Sequence, residues 1–124
     1  MTEHSRTTVP SDWKTQPLPA LYVTLPLDFT LTAEETVAAR RGLIPQQMED
    51  KWFFYFIDDT LYQHRSWTGN CIYQVHFAPH EGGWRATHAE VNRDAGQYSN
   101  TDNAQDIELI EKLTRYLVRM QLQP

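Results

Sequence analysis

An α+β fold is predicted for this chain: an antiparallel β-meander of about four strands packed against a C-terminal helix, with one further N-terminal helix. Three observations carry that expectation. From Trp52 onward, the runs WFFYFI, LYQHR, CIYQVHF and WRATHAEV are rich in aromatic and β-branched residues, and Asp-Asp, Ser-Trp-Thr-Gly-Asn and Pro-His-Glu-Gly-Gly separate them. Near the C-terminus, Ile107, Ile110, Leu113, Leu117 and Met120 recur at steps of three and four, the spacing of one helix face. Between Thr32 and Glu35 the order Thr-Ala-Glu-Glu matches a capping box, in which the hydroxyl and the carboxylate each satisfy a free backbone N–H.

Taken in order, positions 1–20 are polar and hold three of the seven prolines, so a disordered or extended tail is expected before a single domain over 21–124. The segment Leu21 to Phe29 alternates weakly and contains Pro26, which fits a short edge strand or an extended crossing segment. Helix one starts at about Ala33. Arg40 and Arg41 suit its negative end, and Gly42 supplies the left-handed closing residue. A two-residue turn at Asp58-Asp59 pairs Ile57 with Thr60, Tyr55 with Tyr62 and Phe53 with His64. One sheet face then carries Trp52, Phe54, Phe56, Leu61, Cys71, Tyr73, Val75 and Phe77. The other carries Phe53, Tyr55, Tyr62, His64, Ile72, Gln74 and His76. A three-residue turn would instead put Gln63 and Arg65 in place of Tyr62 and His64. Helix two covers the apolar face, with Asp102 or Asn103 as N-cap and Asp106, Glu108 and Glu111 solvated around its stripe. Helix one is expected on the second face, leaving a cleft walled by Tyr55, Tyr62 and His64.

Composition excludes several functions. A length of 124 residues suits one domain, and 40% hydrophobic residues with four tryptophans exceed what a disordered chain carries. The formal net charge of −5 provides no basic field for a phosphate backbone, so nucleic acid is not an expected partner. No apolar run nears the roughly 20 residues needed to cross a bilayer, so no membrane partner is expected either. The single cysteine, Cys71, excludes an internal disulfide, and its place in an alternating strand reads as a buried thiol. Without a secretory h-region, a cytoplasmic location is expected. No cofactor is implied.

The richest polar stretch is His64-Arg65-Ser66-Trp67-Thr68-Gly69, at a hairpin tip. Gly69 permits positive φ, so that consecutive amides can converge on an anion. Arg65 adds a bidentate fork, Ser66 and Thr68 add hydroxyls, and Trp67 adds a stacking plane. Ser, Gly and Asn are also ordinary turn residues, whereas Arg and Trp are not demanded by a turn. Asn92 and Arg93 precede helix two, whose N-terminus attracts anions; a solvent-exposed Arg93–Asp94 pair is the plainer reading. For metal, His76, His80 and His88 offer an unspecific set, because His76 and His88 are not directly opposed if Phe77 and Trp84 bracket the turn, so none is expected. His64 and Ser66 share a strand face, but no orienting carboxylate completes a triad. Glu49 and Asp50, beside Lys51, are the remaining acid–base candidates.

The run Met48-Glu-Asp-Lys-Trp-Phe-Phe-Tyr-Phe, then Asp59 through Val75, then Val91-Asn-Arg-Asp and Gln97-Tyr-Ser, resembles a small bacterial domain family in which a KWF.YY.DG.LYFHRSWTG.CIY.V pattern recurs. The likeness covers about Gly42 to Val118. Members are sometimes appended to ADP-ribose-handling macrodomains. The resemblance implies that His64 to Gly69 are signature positions, and it makes an ADP-ribose-like or other nucleotide ligand the first expectation. The chain departs at Phe56 and Gln63, and carries Asp58-Asp59 where Asp-Gly is common. A protein partner, as for an immunity or accessory domain, using the aromatic face is the second expectation. An enzyme acting on an ADP-ribosyl or nucleotide bond through His64 or Glu49 is the third.

Overall fold

A computed structural model describes residues 7–123. Five strands form one antiparallel sheet: β1 (Tyr22–Leu31), β2 (Trp52–Ile57), β3 (Thr60–Arg65), β4 (Cys71–His80) and β5 (Gly83–Asn92), in the order β1-β5-β4-β3-β2. The expected meander is β2 to β5, and β1 joins it at the β5 edge. Pro26 sits at this outer edge, where the β1 register shifts and a missing N–H interrupts no interior ladder. Helix α1 (Ala33–Arg40) begins at the capping box, with Glu35 N–H donating to Thr32 Oγ1 and Thr32 N–H to Glu35 Oε1. Gly42 closes it at φ +69°, where a Cβ would meet the Phe54 carbonyl oxygen at 2.4 Å. Helix α2 (Asn103–Leu122) is capped by Asp102, which accepts from Gln105 N–H. No helix among the described residues is long and apolar enough to cross a membrane.

The two-residue turn forms as expected, with Ile57 opposite Thr60, Tyr55 opposite Tyr62 and Phe53 opposite His64. Asp58 takes φ +53°, and Arg40 clamps the turn through the Asp58 carbonyl and the Asp59 carboxylate. Both helices lie on one face. Ala39 of α1 shares a core with Ile110, Leu113 and Leu117 of α2 and with Phe54, Leu61, Tyr73, Val75, Ala89 and Val91 of the sheet. The cleft expected between helix one and the second face is therefore absent. Helix one is too poor in large apolar side chains to cover a sheet face, and instead packs beside α2.

Two bulges reset the faces. Gln63 opposes Tyr73 but His64 opposes Cys71, which leaves Ile72 as an extra residue. Cys71 thus joins His64 on the helix-free face while Ile72 packs into the core, the reverse of the simple alternation. Burial pushes the Cys71 thiol up to about 12, which suits an inert thiol. Between β4 and β5 the second shift makes Thr87 the extra residue and sets His76 directly opposite His88. The N-terminal strap is extended apart from a 3-10 turn at Pro10–Asp12. It is held by Thr8 N–H to Arg41 O and by Gln16 N–H to Gly69 O. Positions 1–6 of the expected tail lie outside the described residues.

Candidate functional site

The hairpin tip is largely committed to holding itself together. His64 is 2% exposed, and both ring nitrogens are engaged, Nε2 with the Tyr55 hydroxyl at 2.9 Å and Nδ1 with the Gly69 carbonyl at 2.8 Å. Burial pushes its pKa below the ordinary histidine value, outweighing the Gly69 carbonyl. Ser66 is buried and donates to the Asp50 carbonyl at 2.7 Å. Backbone amides expected to converge on an anion point elsewhere: Arg65 N–H to Asn70 O, Ser66 N–H to Lys51 O, Gly69 N–H to Arg65 O, and Asn70 N–H to Thr68 Oγ1. Gly69 takes φ +80°, as expected, and its bare Cα lets the Lys14 carbonyl pass close by. Arg65 leaves the tip altogether and stacks over Trp52 on the helix side, 5.3 Å from the ring centre. Four of the tip's amides are thus already bonded within the protein.

Tyr55 and Tyr62 stack with ring centres 5.0 Å apart, and Tyr55 also stacks on His64 at 5.3 Å. Burial raises both phenols, so they stay neutral. Phe53 and Tyr55 are buried in this layer and Tyr62 is half-buried. Glu49 and Asp50 border a smaller hollow of about 320 Å³ beside Trp52 and Tyr116, and Asp50 Oδ2 caps the loop by accepting from Gln46 N–H.

Asn92 and Arg93 belong to a buried network around Asp106. Asp106, expected to be solvated, is fully buried. It accepts from Tyr73 OH and Tyr98 OH at 2.6 Å each, from Asn100 Nδ2 at 3.1 Å and from Arg93 Nη2 at 2.7 Å. Asn92 donates to the Cys71 carbonyl and to Gln97 Oε1. Arg93 is therefore paired with Asp106 and not with Asp94, and the cluster ties α2 to the sheet. Its sequence signal was Asp106 itself, which stands four residues before Ile110 and seven before Leu113 and so lies on the apolar stripe, a place a charged residue takes only with partners.

Outside these clusters one opening stands out. A cleft of about 580 Å³ is lined by Trp13, Lys14, Pro45, Gln46, Gln47, Met48, Ser66 and Trp67. Trp67 is 60% exposed and Met48 71%. Each indole is pinned by its ring N–H to the opposite segment, Trp67 to Met48 O at 3.0 Å and Trp13 to Ser66 O at 2.7 Å. Of the candidate ligand residues, only Trp67 and Ser66 line this cleft. Trp13 and Lys14 were missed because a Pro-rich polar tail has no pattern that says where it folds back. On β4 and β5, His76, His88 and Glu90 bring one ligand-capable atom each to within 4.8 Å of one another.

No family model, curated protein or solved structure matches the chain.

Proposed function

We propose that this protein is a binding module for a planar, anionic small molecule of the nucleotide or ADP-ribose class, seated in the Trp13–Trp67 cleft. The observation that carries the reading is the pair of anchored indoles with Lys14 at one roughly 580 Å³ opening, a volume within the usual range for small-molecule sites. Indole faces fixed in advance lose little freedom when a base stacks on them, and the ammonium supplies attraction for phosphate. The resemblance to a family sometimes joined to macrodomains supports the choice of nucleotide over other rings. Arg65, Thr68, Tyr55, Tyr62, Asn92 and Arg93 take structural places in this reading, and so does His64. With His64 committed, Glu49 beside the smaller hollow is the remaining acid–base candidate for an enzyme reading.

Melting curves and tryptophan emission measured with AMP, ADP-ribose and NAD test it. A ligand at a hundredfold excess over its Kd should add about 2.7 kcal/mol of stability. Trp67→Ala and Lys14→Ala should weaken the response, while Arg65→Ala, on the far face, should leave it intact. Unchanged melting and emission at millimolar ligand would sink the reading. A second reading follows from the exposure of Met48 and Trp67 at the rim: a partner protein's apolar side chain fills the same cleft, which an adaptable methionine accommodates.

A further inference from the structure

We infer that His76, His88 and Glu90 form a binding site for a divalent first-row transition metal on the helix-free face of the sheet, independent of the indole cleft. His88 and Glu90 are two apart on β5 and so share a face, and the bulge at Thr87 brings His76 directly across from His88. The imidazole rings lie parallel with centres 4.4 Å apart. The Glu90 carboxylate reaches both, with Oε1 at 2.5 Å from His76 Nε2 and Oε2 at 3.8 Å from His88 Nε2. Ligand atoms around an ion bound at about 2.0–2.2 Å sit roughly 3–3.5 Å apart. The two observed separations bracket that value, and the two stacked rings must also tilt so that their lone pairs, on atoms within 4.8 Å of each other, converge on the ion.

Each histidine also has the outer hydrogen bond that metal-ligating imidazoles use to fix their orientation. Thr60 Oγ1 lies 3.2 Å from His76 Nδ1, and Thr87 Oγ1 lies 2.8 Å from His88 Nδ1. Thr87 gives its own hydroxyl proton to the His76 carbonyl, so at His88 it accepts from Nδ1–H, leaving the Nε2 lone pair directed at the cluster. At His76 the proton on Nε2 that faces Glu90 moves to Nδ1 when metal binds, and the Thr60 hydroxyl turns to accept it. Two imidazoles and one carboxylate suit zinc, cobalt, nickel or ferrous iron, and discriminate against magnesium and calcium, which want more oxygen ligands. The side chains of His76 and His88 are 30% and 43% exposed, so the remaining coordination positions open to solvent beside Tyr62 and Gln74. Such an ion would carry exchangeable water, in contrast to a closed structural zinc.

Titration of the tag-free full chain with Co²⁺ tests this. The expected result is one equivalent bound, read as a visible d–d band that Zn²⁺ displaces and millimolar Mg²⁺ does not. His88→Ala and Glu90→Gln should each weaken binding at least tenfold, and Thr87→Val by tenfold or more. His80→Ala, which alters a histidine paired with Glu81 outside the set, should bind as the wild type does. Paramagnetic broadening in the wild-type spectrum should centre on the His76 and His88 rings, a readout that needs no variant to fold. The inference fails if no band appears at millimolar Co²⁺, if the broadening centres elsewhere, or if His80→Ala loses as much affinity as His88→Ala.

Discussion

Two histidine sites share the helix-free face of one sheet, and their surroundings assign them opposite roles. At the β3 end, His64 is buried, both nitrogens are hydrogen-bonded, and an aromatic layer of Phe53, Tyr55 and Tyr62 surrounds it. On β4 and β5, His76 and His88 are half-exposed, stacked on each other and joined by a carboxylate. The first set stabilises the fold because both His64 nitrogens and the Tyr55 hydroxyl already have protein partners. The second keeps lone pairs and a charge where solvent and ions reach them. The two sites therefore differ in burial and in what their Nε2 atoms meet, a phenol at His64 and a carboxylate at His76.

That contrast should appear first in stability. The largest loss is expected for Asp106→Ala, another polar group consumed by the fold, because it removes the buried carboxylate to which Arg93, Tyr73, Tyr98 and Asn100 all donate. Urea unfolding should show about 3–5 kcal/mol. His64→Ala follows, at roughly 2–4 kcal/mol, combining a cavity with the stranded Tyr55 hydroxyl and Gly69 carbonyl. Gly69→Ala forces a Cβ into left-handed backbone against the Lys14 carbonyl and should cost about 1–2 kcal/mol. At the other end, His88→Ala should change stability by less than about 0.5 kcal/mol. An equal loss for His88→Ala and His64→Ala would erase the comparison.

Acid titration sharpens it further. His64 resists protonation when folded and accepts it when unfolded, so below the ordinary histidine pKa of about 6.5 the unfolded state binds more protons. Its contribution is complete above that pH and declines as pH falls, with a slope of up to about 1.4 kcal/mol per pH unit. Denaturant midpoints between pH 7 and 5 should fall in the wild type, and fall less steeply in His64→Phe. A parallel pair of curves would show that His64 is not the group responsible.

Much of the fold was legible in local chemistry. The capping box at Thr32 and Glu35, the cap at Asp102, the turn at Asp58-Asp59 and the pairing of β2 with β3 all depend on neighbours in sequence, so short-range rules reach them. The bulges were not legible, because an extra residue is set by how two strands fit and leaves no mark in either strand alone. Ile72 and Cys71 exchanged faces for that reason, and His76 came to oppose His88. Asp106 was assigned to solvent because it is charged, although its spacing from Ile110 and Leu113 puts it on the buried face; the tyrosines and arginine that donate to it come from other segments.

The amino-acid order alone determined an antiparallel sheet, two capped helices and an aromatic chain of net negative charge, since these follow from periodicity, turn residues and composition. Only the tertiary structure decided which polar residues were free to act. Arg65 turned to Trp52, Ser66 turned to Asp50, and the exposed indole of Trp67 gained Trp13 and Lys14 from a segment far away in the chain. Availability for binding depends on which partners folding brings to each donor and acceptor, and those partners are contacts between residues distant in sequence.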